Sequence, residues 1–152
     1  MSTSVPSTPA TLPVNGQVIG LAHYASRAAL ERVLARSGTG FNRSVALRAV
    51  SDNGGTVERA WLVDRLTGAL KIEESVARAT VEEMAADELL AEPATGDVSL
   101  TDAGRELFDS IRTAGDAIAA RLYAGIPAED LATAGRVLTL VTERADAELA
   151  DV

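Results

Sequence analysis

Few side chains in this sequence have the types and spacing that catalysis needs. His23 is the only histidine, the chain has no cysteine, and it has no glycine-rich phosphate loop. A nucleophile needs a neighbouring base, and a nucleotide site needs backbone amides that converge on phosphate. Neither arrangement is recognisable here, so the sequence predicts a protein that is not an enzyme.

Pairs of adjacent acidic residues are the candidates for a carboxylate metal site. They are Glu73 and Glu74, Glu82 and Glu83, and Asp87 and Glu88. Adjacent residues on a helix point in different directions, and no glutamate is followed three positions later by a histidine, as in di-iron bundles. The pairs are therefore interpreted as a solvated face, and the sequence predicts no metal and no cofactor.

Arg78 is the basic side chain with the most informative surroundings. Glu74 lies four residues before it and Glu82 four residues after it, so both can pair with it on a helix surface. Such a pair is worth roughly 0.2–0.5 kcal/mol, whereas a bidentate arginine–guanine contact is worth roughly 1–3 kcal/mol. The flanking acids therefore favour an ion pair of Arg78 within the helix, but this pair is too weak to prevent Arg78 from contacting a base.

Length and composition indicate the class of fold that must position these residues. The chain has 152 residues, of which 47% are hydrophobic but only 3% aromatic, so alanine, leucine and valine must form a mainly helical core. No charged residue precedes Arg27, but Pro6, Pro9 and Pro13 interrupt this segment, and its apolar part is too short to span a bilayer. We expect a cytoplasmic protein with no membrane partner and a flexible N-terminal tail over residues 1–13.

Apolar periodicity predicts helices over about residues 15–36, 41–52, 57–67, 73–87, 101–124 and 127–149. Asn15 and Thr101 are suitable N-caps for the first and fifth of these. The third and fourth are joined by a short turn that contains Gly68, which matches a helix-turn-helix. The first helix and the two last helices carry continuous apolar seams, which favour dimerisation, although packing within one chain is an alternative.

Two sets of residues are expected to face the core from the third and fourth helices. They are Trp61, Leu62 and Leu66 in the third, and Ile72, Val76, Thr80 and Met84 in the fourth. Trp61 is interpreted as a core residue rather than the floor of a binding site because it is expected to share a face with Leu62 and Leu66.

Residues 89–100 interrupt the helical pattern. Residues 89–92 are too few and too close to Pro93 for a helix, residues 93–96 have the composition of a hairpin loop, and residues 98–100 form the returning strand. The predicted fold class is therefore mainly α with a small two- or three-stranded β-wing. Its architecture is a winged helix-turn-helix with long N- and C-terminal dimerisation helices.

This order of elements, together with the segment VSLTDAGRELF at residues 98–108, resembles the MarR family of winged helix-turn-helix regulators. The resemblance covers about residues 15–150. Leu89 and Leu90 match two apolar positions of the family, and Glu88 stands where the family usually has a glycine. The resemblance implies a single MarR-like domain over residues 14–152, with the winged helix-turn-helix at 56–100 and dimerisation helices at 14–36 and 101–152.

The resemblance implies a homodimeric transcriptional regulator that binds a palindromic operator in double-stranded DNA. The fourth helix would enter the major groove, and the wing would touch the DNA backbone or the minor groove. The residues expected to contact base edges are Ser75, Ala77 and Arg78, and those expected to contact phosphates are Lys71, Arg65 and Arg59.

The resemblance also implies a small aromatic or phenolic ligand bound between the dimerisation and DNA-binding parts. His23, Tyr24 and Arg27 in the first helix are the candidate residues of this ligand pocket. The simpler interpretation of His23 is a core or interface histidine with one satisfied hydrogen bond. That interpretation is preferred because the sequence shows no partner group for the imidazole.

The charge distribution supports an alternative function from another class. Residues 73–109 contain eleven acidic and two basic residues, a net charge of −9, whereas residues 23–71 contain four acidic and eight basic residues, a net charge of +4. Residues 93–97 include no lysine or arginine, and phosphate neutralisation supplies most non-specific affinity for DNA. The alternative is a winged-helix dimer that has lost DNA binding and acts as a protein-interaction or ligand-sensing module.

Overall fold

The structure, a computed structural model, describes residues 12–151. Apart from its last two residues, the predicted N-terminal tail lies outside the described residues. The described chain forms, in order, α1 (Gly16–Arg36), α2 (Phe41–Asp52), β1 (Thr56–Glu58), α3 (Arg59–Leu70), α4 (Glu74–Ala86), β2 (Leu90–Ala91), β3 (Asp97–Leu100), α5 (Asp102–Tyr123) and α6 (Ala128–Ala150). These elements confirm the predicted mainly helical fold class. The chain divides within α5 into two compact units, the first ending at Gly115 and the second starting at Asp116.

The strands of the first unit form the predicted wing and add a third strand to it. The sheet is antiparallel in the order β1-β3-β2, with Val57 opposite Val98 and Leu90 opposite Leu100. Val98 and Leu100 are buried, so the ribbon covers the helical core with one face. We call β2, β3 and the loop between them the wing.

The third helix is displaced from its predicted bounds. Its predicted first residue, Val57, belongs to β1, because residues 56–58 pair with β3 instead of joining the helix. At the other end the helix passes through Gly68 to Leu70, and Lys71 ends it with a left-handed backbone conformation at φ 54°. The predicted helix-turn-helix is therefore α3, a short turn and α4.

The end of α4 has a tight C-terminal motif that leads into the wing. The Glu88 amide donates to the Ala85 carbonyl at 3.1 Å, and the Leu89 amide donates to the Met84 carbonyl at 2.9 Å. These two bonds define a Schellman motif, in which the residue after the cap is usually a left-handed glycine. Glu88 takes that conformation at φ 60° despite its side chain.

The start of α5 packs directly on this motif. The Thr101 hydroxyl accepts a hydrogen bond from the Gly104 amide at 3.0 Å, which confirms the predicted N-cap, and donates to the Glu88 carbonyl at 2.6 Å. Gly104 is buried against the Leu89 carbonyl, and a Cβ atom at this position would overlap that oxygen. Only glycine allows α5 to approach the backbone of Leu89, just before β2, this closely.

Apolar residues of the first unit form its core. The fully buried large side chains are Leu34, Leu47, Val50, Leu62, Leu66, Val81, Met84 and Val98. Two predicted core residues are instead exposed, Trp61 at 38% and Val76 at 44%. A step of four residues rotates by ~40° around a helix, so Val76 lies ~80° from Met84, and Ala77 takes the core position.

The second unit is helical and leaves large apolar side chains exposed. No residue of α6 is buried, although Leu131, Val137, Leu138, Leu140, Val141 and Leu149 lie on it. Among the described residues, no helix is long and apolar enough to cross a membrane. The same residues include no group of three metal-ligating side chains.

Candidate nucleic-acid interface

The helix α4 presents a solvent-facing surface beside the wing. Its buried face consists of Ala77, Thr80, Val81 and Met84, which pack into the core of the first unit. The opposite side leaves Ser75, Arg78 and Ala79 exposed in the first two turns. A helix held in this way can place its N-terminal residues against base edges in the major groove.

One of the predicted base-contacting residues must be corrected. Ala77 is 0% exposed and belongs to the core cluster, so its methyl group is not available to a base. Ser75 and Arg78 are exposed on α4. The periodicity that placed Val76 in the core and Ala77 outside was wrong by one residue, as described above.

Sequence reasoning missed Val76 and Ala79 as solvent-facing residues of α4. Both are exposed, and both carry small apolar side chains close to Ser75. Apolar side chains on a groove-facing helix are suited to contact the thymine methyl group. The sequence signal that could have revealed them is the apolar stripe of Ala77, Val81 and Met84, whose helical spacing leaves Val76 and Ala79 outside the core.

The candidate phosphate-contacting residues lie on α3 and on the turn that follows. Arg65 and Lys71 are exposed, whereas Arg59 is partly buried at the first residue of α3. The Arg59 amide donates to the Gly96 carbonyl at 2.8 Å, which ties the start of α3 to the wing loop. Arg59 is therefore positioned between the helix-turn-helix and the wing.

A cleft of about 280 Å³ lies between α3, α4 and the wing. Its lining residues are Arg59, Ala60, Val63, Asp64, Glu74, Arg78 and Gly96. The cleft brings together two of the predicted DNA-contacting arginines, Arg59 and Arg78, which are far apart in sequence. It also places carboxylates beside both of them.

Both arginines of this cleft form ion pairs. Arg59 Nη1 donates to Glu92 Oε1 at 2.7 Å, and Arg78 Nε donates to Glu74 Oε1 at 3.1 Å. The Arg78–Glu74 pair is the sequence-predicted contact between residues four apart. The Arg59–Glu92 pair joins α3 to the wing and had no signal in the sequence, because its partners are separated by 33 residues.

Acidic residues at the other end of α4 are paired with a base from α2. Arg43 Nη1 lies 2.7 Å from Asp87 Oδ2, and Arg43 Nη2 lies 3.5 Å from Glu83 Oε2. The Arg43 side chain is 23% exposed, so this contact is partly shielded from solvent. With Glu92, which pairs with Arg59, three of the eleven acids in residues 73–109 are thus compensated by bases outside that segment.

The predicted ligand-pocket residues lie together on α1. The rings of His23 and Tyr24 are 5.5 Å apart, both residues are exposed, and the Arg27 guanidinium stacks over Phe41 at 4.2 Å. Arg27 Nε also donates to Glu31 at 2.9 Å. His23 is therefore not a core residue of the described chain.

A second cleft, of about 230 Å³, lies elsewhere in the first unit. It is lined by Ser51, Gly54, Gly55, Leu100, Arg105, Phe108 and Asp109. None of the predicted pocket residues belongs to either of these two clefts.

Comparisons with known proteins show which class of protein has this fold. No protein-family model matches the sequence, and no curated protein matches it at a significant level. Solved structures do match. MarR from Escherichia coli in its reduced form has 14% identity, covering 86% of this chain and 95% of that one, with a TM-score of 0.66.

Two further structures were solved with bound partners. CouR from Rhodococcus jostii, bound to p-coumaroyl-CoA, has 17% identity, covering 84% of this chain and 90% of that one, with a TM-score of 0.71. A MarR family protein of Mycobacterium tuberculosis in complex with DNA has 19% identity, covering 86% of this chain and 98% of that one, with a TM-score of 0.66.

These matches define the class of this protein as a winged helix-turn-helix. Its fold is that of the MarR-family transcriptional regulators, as the sequence resemblance predicted. Identities of this size establish a shared fold, and function must be argued from the site.

Proposed function

We propose that this protein is a DNA-binding transcriptional regulator that acts in the cytoplasm as a homodimer. The observation that carries the proposal is the exposed outer face of α4 beside the wing, on a fold shared with MarR-family regulators. Ser75, Val76, Arg78 and Ala79 would contact base edges. Arg59, Arg65 and Lys71 would contact phosphates.

The homodimer is supported by the apolar surface of α6. An amphipathic helix with no buried residue leaves its apolar side chains in water, which is unfavourable by about 25 cal/mol per Å² of apolar surface. A second copy of the chain offers an identical apolar seam, and symmetric association of such seams is the commonest form of oligomer. We therefore assign α6 to the dimer interface.

A symmetric dimer implies a palindromic operator. Two copies of α4 must lie roughly 34–36 Å apart to meet successive major grooves on one side of the duplex. A small aromatic or phenolic ligand that prefers a different spacing would release DNA, to the extent of its differential affinity for the two states. His23 and Tyr24 supply exposed rings and Arg27 a cation for such a ligand, and the CouR structure was solved bound to p-coumaroyl-CoA.

The test is a selection of duplexes on the purified protein, followed by a salt titration of binding to the selected site. A regulator binds a palindrome and loses affinity steeply as the salt concentration rises. Arg78→Ala should weaken binding by roughly tenfold or more, the size of a lost arginine–guanine contact. Arg112→Ala is the matched control, because Arg112 is also exposed and paired within its own helix.

The paired state of Arg59 and Arg78 favours a second candidate, a winged-helix dimer without DNA binding. That candidate predicts no duplex binding even at low salt and no difference between wild type and Arg78→Ala. This outcome would replace the regulator with a protein-interaction or ligand-sensing module.

A further inference from the structure

The cleft between α3, α4 and the wing holds its two arginines in contact with carboxylates of the same chain. Glu92 accepts from Arg59 at 2.7 Å, and Glu74 accepts from Arg78 at 3.1 Å. Asp64 lines the same cleft, but among the described residues it forms no ion pair. The cleft is thus lined by one paired acid, Glu74, and one unpaired acid, Asp64, and Glu92 pairs with Arg59 from the wing.

A guanidinium binds a carboxylate and a phosphate with the same N–H donors. An arginine that is engaged by a carboxylate must therefore release it, at least in part, before it can engage a phosphate. We propose that Glu92 and Glu74 set the DNA affinity of this protein by competing with phosphate for Arg59 and Arg78. This inference rests on the proposed function. It implies that DNA phosphates displace the two carboxylates from the arginines when DNA binds.

Glu92 is the more important of the two competitors. It reaches Arg59 from the wing, and the Arg59 amide is bonded to Gly96 of the same wing at 2.8 Å, so the arginine is held at two points. The Arg59 side chain is 30% exposed. By contrast, Arg78 and Glu74 are 60% and 61% exposed on one turn of helix, where water screens their attraction.

The competition also explains how an acidic wing can belong to a DNA-binding protein. Glu92 would leave Arg59 when a phosphate arrives and would then face solvent. Breaking the ion pair would lower the affinity, while each phosphate that is neutralised would still release its counterion from the DNA.

The experiment compares Glu92→Gln with Asp64→Asn in fluorescence-anisotropy titrations of the selected palindromic duplex. Both variants remove one negative charge near Arg59, since Asp64 lines the same cleft as Arg59 and Glu92 pairs with it, but only Glu92→Gln removes a competitor for an arginine. We expect Glu92→Gln to bind about two- to fivefold more tightly than Asp64→Asn, the range of a partly exposed ion pair.

Two further variants test the same competition independently. Glu74→Gln should also bind DNA more tightly, but with a smaller gain in affinity. Because Glu74 lies outside the wing, this variant tests the inference even if circular dichroism shows that Glu92→Gln alters the fold. In the Arg59→Ala background, Glu92→Gln should bind no more tightly than Asp64→Asn.

The outcomes are distinguishable. Equal gains for Glu92→Gln and Asp64→Asn would show a general charge effect and overturn the inference while leaving the regulator intact. An excess of Glu92→Gln over Asp64→Asn that persists in the Arg59→Ala background would overturn it in the same way. Absence of duplex binding in every variant would overturn the proposed function and the inference with it.

Discussion

Replacing Glu88 by glycine should stabilise the protein. Glu88 adopts a left-handed conformation at φ 60°, which costs an L-residue with a side chain roughly 1–2 kcal/mol. Glycine would relieve that cost but add roughly 0.4–1 kcal/mol of conformational freedom to the unfolded chain. The expected net gain is about 0.5–1 kcal/mol in the free energy of unfolding.

The surroundings of Glu88 make this a clean perturbation. Its side chain is exposed and forms no ion pair among the described residues, so no side-chain contact is lost. The hydrogen bonds at this position use its backbone, namely its amide to Ala85 and its carbonyl from Thr101, and glycine keeps both groups.

The assay is thermal and urea unfolding followed by far-UV circular dichroism, at one fixed protein concentration because a dimer's stability depends on it. For a chain of this length, 1 kcal/mol raises the midpoint by roughly 2–4 °C. Glu88→Gln is the control, because it removes the charge and keeps the strained backbone, and it should leave the midpoint unchanged. If Glu88→Gly is no more stable than Glu88→Gln, the strain attributed to this position is absent.

Three further expectations concern other parts of the chain. Gly104→Ala should destabilise the fold by about 2 kcal/mol or more, since its methyl overlaps a backbone carbonyl that cannot move freely, and urea unfolding measures the loss. Leu138→Glu on α6 should convert a dimer into monomers in sedimentation or light scattering, whereas a Thr139→Glu control on the same helix should have a smaller effect. Replacing thymines of the selected operator by uracil should weaken wild-type binding by about three- to fourfold for each contacted methyl group, and Val76→Ala should reduce that difference.

Local chemistry determined much of this fold from the sequence. The N-caps at Asn15 and Thr101 and the turn after Pro93 act within a few residues, and the structure has them where the sequence predicted them. The bounds of α2 were predicted correctly for the same reason, since Gly40 and Asn53 limit the helix at both ends. The predicted winged helix-turn-helix followed from the order of these local signals.

Tertiary packing decided what those local signals leave open. The strand β1 exists because it pairs with β3 some forty residues later along the chain, and that pairing removed Val57 from the predicted third helix. Packing also chose Ala77 rather than Val76 for the core and left Trp61 partly exposed. The apolar periodicity of a helix defines its buried face only to within about one residue. Packing against the neighbouring elements then decides which residues are buried.

The charge arrangement of the candidate interface was also a matter of tertiary structure. The sequence showed that residues 73–109 are acidic, but not that Arg43 and Arg59 reach into this segment from 44 and 33 residues away. Helical spacing predicted that Arg78 could pair with Glu74 or with Glu82, and in the described chain it pairs with Glu74. Ion pairs between distant segments depend on which surfaces the folded chain brings together. A single sequence does not show which of its distant residues will be close in space.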